Sequence, residues 1–380
     1  MRRRKNSILP ILCLSLSLFA ATRASAQSPS PALLVLEKGD NSLAIVDPAT
    51  LQIVARAPAG PDPHEIVAST DGKFAYISNY GGLDSALNTI SVVDLIARKA
   101  LPAINLGGLR STHGLAFAAG KLYFTAETNK VIGRYDPATQ TVDWVLGTGQ
   151  DRTHMIVVFD SLDRIVTSNV GSATISIIEQ IPSPGFGPPP GANAPPPPGA
   201  GGPPGNTFVT GGPLPGSAPQ GVPRKTWRVT NIPAGRGAEG FDVSPDGKEI
   251  WAANAQDATV TIIDVATKKP IASLPISVKG ANRLKFTPDG KHVLIAGLAG
   301  GPSAAGANLV ILDAATRTEL KQLDLGGGSA GILIVPDGSR AYVAVSAKDK
   351  VVIVDLHTLE VTAQIPTGKG PDGLAWAAPK

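Results

Sequence analysis

The chain has 380 residues, of which 34 are basic, 30 are acidic and one is cysteine. Five of the basic residues and the cysteine lie in residues 1–26, so the remainder has 29 basic and 30 acidic residues. A nearly neutral, cysteine-free remainder excludes disulfide scaffolds and thiolate chemistry, and it disfavours an extended nucleic-acid surface.

Residues 1–26 have the pattern of a secretory signal peptide. Four basic residues, Arg2–Lys5, precede an apolar stretch over residues 8–21, and Ala24-Ser25-Ala26 forms an A-x-A cleavage site. Pro10 and two serines interrupt the apolar stretch, which is too short for a convincing membrane span. We therefore predict a periplasmic or secreted protein without a transmembrane anchor.

Residues 182–223 consist mainly of proline and glycine. Such a composition cannot bury enough apolar surface to order itself, so the segment is predicted to be a disordered insertion. It is either a tolerated surface loop or a proline-rich binding site for a protein partner.

The rest of the chain repeats two short patterns. The first is seen as STDGKFAYISN (69–79), SPDGKEIWAAN (244–254), TPDGKHVLIAG (287–297) and VPDGSRAYVAV (335–345). The second is a β-branched run closed by an aspartate, as in VTIIDVAT (260–267), with closing aspartates at 47, 94, 136, 264, 313 and 355. A period in the forties, made of short alternating strands and turns, is typical of a β-propeller.

Each repeat supplies four strands, A to D, with the Asp-Gly turn between A and B. Seven A strands begin near residues 62, 111, 152, 237, 280, 328 and 370. The last has no B, C or D strand after it, and the first strands of the chain supply them. We therefore predict an all-β, seven-bladed propeller over residues 31–380, closed by one blade that both ends of the chain share. The insertion falls between strands C and D of the third blade, and we expect a monomer.

The PDGK and V-x-V-I-D-x-A-T patterns resemble those of the YVTN-repeat proteins, which are similar to lactonase-type seven-bladed propellers. The resemblance covers nearly all of residues 31–380 outside the insertion. It implies the propeller fold and leaves the function open between lactonase-like hydrolysis and non-catalytic binding.

One position near the start of strand A collects polar residues. Alignment on the A–B turn, or on the apolar strand in the second and third blades, whose turns are degenerate, gives a column of seven residues. They are His64, His113, His154, Glu239, Asn282, Ala330 and Asp372. Equivalent residues of neighbouring blades converge at the mouth of the channel. The three histidines and Glu239 therefore suggest a site for zinc, copper or another transition ion. The alternative is a solvated channel without a ligand.

Cations precede the column in the loops that join strand D to the next strand A. They are Arg110, Arg152, Arg236, Lys279 and Lys369, and Arg283 follows Asn282 in the chain. Clustered cations on one face favour a small anionic ligand. The alternative is that these are ordinary charged surface loops. The loops between strands B and C are expected on the same face, with Asn79, Asn169 and Asn254 as further ligand-binding candidates.

Two functions remain open from the sequence. The first is a metal-dependent, lactonase-like hydrolase, with Glu127 or Asp372 as the general base. The second is a non-catalytic scaffold for a protein, polysaccharide or short nucleic-acid partner. No nucleotide cofactor is expected, since the sequence has neither a phosphate-binding loop nor a dinucleotide fingerprint.

Overall fold

The computed structural model describes residues 31–81, 85–183, 225–298 and 308–379. The predicted signal peptide and nearly all of the proline-rich insertion, with its predicted partner-binding role, lie outside these residues. Within them the chain forms 28 β-strands in seven four-stranded antiparallel sheets, which confirms the predicted fold.

Blades are numbered here by their innermost strand. Blade 1 contains β4 (Pro63–Ala68), β5 (Phe74–Asn79), β6 (Thr89–Asp94) and β7 (Lys99–Asn105); blade 2 contains β8 (Thr112–Ala118), β9 (Lys121–Ala126), β10 (Val131–Asp136) and β11 (Thr141–Gly147). Blade 3 contains β12 (Thr153–Val158), β13 (Arg164–Asn169), β14 (Thr174–Pro182) and β15 (Lys225–Pro233); blade 4 contains β16 (Ala238–Val243), β17 (Glu249–Asn254), β18 (Thr259–Asp264) and β19 (Lys269–Pro275).

Blade 5 contains β20 (Ala281–Phe286), β21 (His292–Gly297), β22 (Leu309–Asp313) and β23 (Thr318–Leu323); blade 6 contains β24 (Ile332–Ile334), β25 (Arg340–Val345), β26 (Lys350–Asp355) and β27 (Glu360–Pro366). Blade 7 contains β28 (Pro371–Ala377), β1 (Ala32–Glu37), β2 (Ser42–Asp47) and β3 (Gln52–Pro58). The described residues also contain three short 3-10 turns, at Lys38–Asp40, Glu127–Asn129 and Ser346–Lys348. In these described ranges no helix has the length and apolarity needed to cross a membrane.

The repeated aspartates form the turns that the sequence predicts. Asp71 accepts hydrogen bonds from the Ser69 hydroxyl and the Lys73 amide, and Gly72 has a φ of +68°. Glycine adopts this left-handed conformation without a steric penalty. In the second pattern, Asp264 ends a strand C, and its carboxylate accepts hydrogen bonds from both the amide and the hydroxyl of Thr267. Both turns are closed by the residues that define the repeat.

The two ends of the chain close the ring in blade 7. Strand β28 pairs with β1 antiparallel, with Leu34 opposite Ala375. The Glu37 carboxylate accepts from the Gly368 amide and binds Arg56 of β3, so one buried side chain joins both ends. This shared blade confirms the predicted closure, which leaves no unpaired inner edge.

The apolar core lies between neighbouring blades. Trp251 of β17 packs edge-on against Phe286 of β20, with ring centroids 5.5 Å apart, within a buried cluster from blades 4 and 5. Similar clusters occupy other blade interfaces. Each inner strand contacts the inner strand of the next blade around a closed ring, which places the strand A residues about a common central channel.

Candidate functional site

A β-bulge near the start of strand A turns the column residues towards the channel. In blade 1, Pro63 pairs with Asn79 and Ile66 with Ile77, so His64 and Glu65 together face Ser78. Similar shifts of register occur in six of the seven blades. Bulges re-aim side chains and are frequent beside functional sites.

Hydroxyl groups on strand B satisfy the backbone of three bulges. Ser78 Oγ accepts from the Glu65 amide at 2.9 Å, and Thr125 Oγ1 accepts from the Gly114 amide at 2.9 Å. Ser168 Oγ accepts from the Met155 amide at 3.2 Å and donates to the Glu239 carbonyl of the next blade. All three hydroxyls fix their bulges, and those of Thr125 and Ser168 also donate to carbonyl groups of the next blade.

All seven column residues line one cavity of about 520 Å³ at the mouth of the channel. This volume is within the usual range for small-molecule sites. Lys38, Tyr80, Arg152 and Arg283 line the same cavity. The alignment of the repeats therefore identified residues that line the same cavity. The binding of a metal by these residues stays a prediction.

The three histidines form a continuous row along one wall. The His113 and His154 rings stack with centroids 3.5 Å apart, and the His64 and His113 centroids are 4.8 Å apart. Tyr80 packs edge-on against His113, at a centroid distance of 5.3 Å. Among the described residues, His113 Nδ1 and His154 Nε2 are buried without a hydrogen-bond partner.

Carboxylates hold the two outer histidines of this row. His154 Nδ1 is hydrogen-bonded to Glu127, whose other oxygen accepts from the Tyr80 hydroxyl at 2.7 Å. His64 Nδ1 lies 2.8 Å from Asp372 Oδ2. Glu127 and Asp372, predicted as general bases, are thus bound to histidines; their catalytic role stays a prediction.

The protonation of neighbouring histidines is driven in opposite directions. Burial lowers the pKa of His113 well below its ordinary value, and the charges of His154 and His64 lower it further. Burial also opposes charge on His154, but the hydrogen bond to Glu127 and the nearby Glu239 carboxylate outweigh it and raise the pKa of His154. The stack therefore pairs a neutral imidazole with one that favours the imidazolium form.

An ion pair crosses the channel beside the cavity. Arg283 Nη2 binds Glu65 Oε1, and Arg283 Nη1 donates to the Asn282 carbonyl at 2.8 Å. Glu65 belongs to blade 1 and Arg283 to blade 5, which are three blades apart through blades 7 and 6. Both side chains are nearly buried, so this ion pair is largely shielded from solvent.

Glu239 and Arg152 are less completely paired than the other charged groups of the cavity. Counting the described residues, the Glu239 carboxylate lies 3.5 Å from Arg283 Nη1 and 3.6 Å from His154 Nε2, and no closer side-chain partner occurs. The only ion pair of Arg152 in the same residues is a 3.6 Å contact with Glu127, and its side chain is 50% exposed. Charge-assisted hydrogen bonds are normally 2.7–2.9 Å long. The Arg152 guanidinium can therefore donate to an additional anionic group, and the Glu239 carboxylate can accept from an additional donor.

Four predicted cations are not among the residues that line the cavity. Arg236 is paired with Asp257 on the surface, and Arg110 donates to the Ala86 carbonyl. Lys279 and Lys369 are exposed. Only Arg152 and Arg283 of the predicted ligand-binding cations reach the cavity.

The three predicted asparagines lie inside the blades. Asn254 accepts from the Gly235 amide and donates to Thr259 and Thr261; Asn79 and Asn169 similarly bind hydroxyls of the adjacent strand C. All three are buried and do not line the cavity. Their hydrogen bonds hold neighbouring strands together within a blade. The predicted contact with a ligand has no support from their positions.

Lys38 was not singled out by the sequence. Its Nζ lies 2.9 Å from His64 Nε2 and 3.3 Å from Asp62 Oδ1. It follows β1, outside the loops in which the repeat placed cations. Only closure of blade 7 by the chain ends brings it beside His64, and no local pattern indicates that contact.

Metal binding was predicted for the column histidines and Glu239. Across the described ranges, no group of three or more His, Cys, Asp or Glu side chains is arranged to hold a metal ion. The unpartnered Nδ1 of neutral His113 is nevertheless a suitable donor for zinc or copper, and His154 Nε2 becomes one when it loses its proton.

The fold and cavity define a seven-bladed β-propeller with a polar site at the channel mouth. No protein-family model matches the chain, and no curated protein matches it. The YVTN-repeat and lactonase-type resemblance therefore stays a prediction.

Solved structures with the same fold are numerous. The chain is 18% identical to hydrazine synthase from Kuenenia stuttgartiensis, with a TM-score of 0.60, covering 83% of this chain and 90% of that one. It is 9% identical to a protein of unknown function from Desulfotomaculum acetoxidans, with a TM-score of 0.65, covering 92% and 100%. It is 14% identical to the dihydro-heme d1 dehydrogenase NirN, with a TM-score of 0.56, covering 93% and 76%. At these identities the similarity establishes the fold alone.

Proposed function

We propose that this protein is an exported β-propeller that binds a small anionic molecule in the channel-mouth cavity. The observation that supports this most directly is the position of Arg152, which lines the cavity and is half exposed. Among the described residues it has a single ion pair, and that pair is long. A guanidinium group binds carboxylates and phosphates through paired hydrogen bonds. Lys38 lies at the same cavity and supplies a second cation.

Binding is tested by screening carboxylates and phosphomonoesters for thermal stabilisation, followed by calorimetry. A ligand of the folded state raises the melting temperature in proportion to the logarithm of its concentration above Kd. Arg152→Gln should weaken binding by about tenfold or more, because it removes a charged hydrogen-bond donor. Arg236→Gln is the matched control, since Arg236 lies in an equivalent loop but pairs with Asp257. Failure of every anion to bind, or equal loss in both variants, would contradict the proposal.

A second candidate function is metal-dependent hydrolysis of a lactone-like substrate. It is favoured by the unpartnered His113 Nδ1 and His154 Nε2, with Glu127 holding the other nitrogen of His154. Carboxylates commonly orient metal-binding histidines in this way. Zinc or copper at these residues and Glu239 would supply a Lewis acid that polarises the carbonyl or activates water.

This candidate is tested by the metal content of untagged protein and by hydrolysis of a lactone panel. His113→Ala with His154→Ala should abolish both stoichiometric metal and hydrolysis. His292→Ala is the control, because His292 begins β21 and is not among the residues lining the cavity. Metal that survives the double substitution would exclude the assigned ligands.

A further inference from the structure

The cavity presents charged groups of both signs to a ligand. Arg152 and Lys38 line it together with Glu239 and Asp372. Asp372 is occupied by His64, at 2.8 Å, and Lys38 lies close to His64 and Asp62. Among the described residues, Arg152 and Glu239 make only long ion pairs, of 3.5–3.6 Å.

A ligand with negative charge alone would leave Glu239 unsatisfied. A carboxylate that loses water without gaining a close hydrogen-bond donor is costly. The Glu239 side chain is only 19% exposed, and its contacts with Arg283 and His154 are both 3.5 Å or longer. A ligand that brings its own cationic donor removes this cost.

The neighbouring groups restrict where such a donor binds. In the described part of the chain, His154 Nε2 is buried 3.6 Å from Glu239 without a hydrogen-bond partner, and the His113 ring stacks on the far side of this imidazole. Across the cavity floor, the bound guanidinium of Arg283 is already compensated by Glu65. The ligand therefore meets an incompletely paired carboxylate on blade 4 and an incompletely paired guanidinium at the start of blade 3.

From this arrangement we propose that the ligand is a small zwitterion, an α-amino acid or a related aminocarboxylate. Its acidic group pairs with Arg152 and its ammonium group binds Glu239. The inference depends on the proposed anion-binding function and adds the requirement for an amine. The cavity, at about 520 Å³, has room for a molecule of this size.

The test compares molecules that differ only in the amine. The full-length protein, freed of metal by chelation, is screened against the twenty proteinogenic amino acids by thermal shift. Each amino acid that binds is then measured by calorimetry beside its deamino analogue, such as L-aspartate with succinate or L-phenylalanine with 3-phenylpropionate. We expect at least one amino acid to bind about tenfold or more tightly than its analogue, as a charged hydrogen bond predicts.

Two variants separate the contacts. Glu239→Gln should remove the preference for the amine while leaving the deamino analogue bound with similar affinity. Arg152→Gln should weaken both members of each pair. Glu360→Gln is the control carboxylate, because Glu360 lies on the outer strand β27 and pairs with Lys321. Circular dichroism and the unfolding midpoint show whether the Glu239→Gln variant is correctly folded.

The possible outcomes separate failure of the zwitterion inference from failure of the proposed anion-binding function. If the deamino acids bind as tightly as the amino acids, the anion site stands and the zwitterion inference is wrong. If no amino acid binds while other anions do, the inference again fails alone. If neither class binds, both fail. Binding that requires added zinc or copper, and that Glu239→Gln abolishes for both members of a pair, would assign Glu239 to a metal and overturn the inference.

Discussion

Glu65 and Arg283 form an ion pair across the central channel, although their strands belong to blades on opposite sides of the ring. Arg283 also lines the cavity and lies 3.5 Å from Glu239, so this one guanidinium contacts carboxylates of two blades. The histidine and glutamate of the PDPHE sequence therefore have separate positions: His64 lines the cavity, and Glu65 reaches across the channel.

Removal of Arg283 should strongly destabilise the protein. Arg283→Met leaves Glu65 nearly buried without its cation, a situation that typically costs about 3 kcal/mol or more. Adding Glu65→Gln should recover part of this loss, because the unpaired charge is then gone. Urea unfolding at neutral pH measures both, with Arg236→Met as the surface control expected to cost under about 1 kcal/mol. A double variant as unstable as Arg283→Met would show that the charge of Glu65 is not the cause.

A glycine beside the column allows adjacent inner strands to approach. A Cβ on Gly373 would lie 2.6 Å from the His64 carbonyl oxygen and 3.1 Å from Leu36 Cδ1. Because backbone must move, Gly373→Ala should lower the free energy of unfolding by about 1–3 kcal/mol. Gly147→Ala is the control, since no atom lies within 4 Å of the added Cβ and φ is not in the left-handed range. Equal stability of the two variants in urea would contradict this explanation.

Glu37 should make closure of the ring sensitive to acid. Burial raises its pKa, but hydrogen bonds from Arg56, Ser42 and the Gly368 amide outweigh this and bring the pKa below the ordinary value of 4.5. The stabilisation is therefore present above about pH 4.5 and is lost as pH falls through the lower pKa of the folded state.

Glu37→Gln should lower stability near pH 7 by about 2 kcal/mol, since charged hydrogen bonds are lost. The difference between the variant and the wild type should shrink as pH falls below 4.5. Unfolding midpoints across this range measure the effect, and Glu360→Gln serves as an exposed control. A difference that is independent of pH would mean that the charge of Glu37 does not contribute.

The fold was predictable because the repeat fixes its own strand register. The Asp-Gly turns and closing aspartates set the limits of most strands, and the unpaired last strand required partners from the start of the chain. The same register placed His64, His113 and His154 in one column, which the structure brings to one cavity. The sequence alone was therefore enough to predict which strand residues occupy equivalent positions in different blades.

Loop side chains were not predictable in this way. Arg152 and Arg236 occupy equivalent loops, yet one lines the cavity and the other pairs with Asp257. Strand period does not determine the direction of a loop side chain, so local partners decide it. The Glu65–Arg283 contact depends on the diameter of the closed ring, and it has no local sequence signal.

The asparagines at the ends of strand B provide the last test, which separates structure from ligand binding. Asn254 is buried, and its amide links the Gly235 backbone to Thr259 and Thr261. Asn254→Ala leaves these groups without their partner and should cost about 1–3 kcal/mol in urea unfolding. Asn105→Ala, on the exposed end of β7, should cost under about 1 kcal/mol. Because Asn254 does not line the cavity, ligand affinity of the folded Asn254→Ala protein should equal that of the wild type. A selective loss of affinity without a loss of stability would instead return Asn254 to the ligand site.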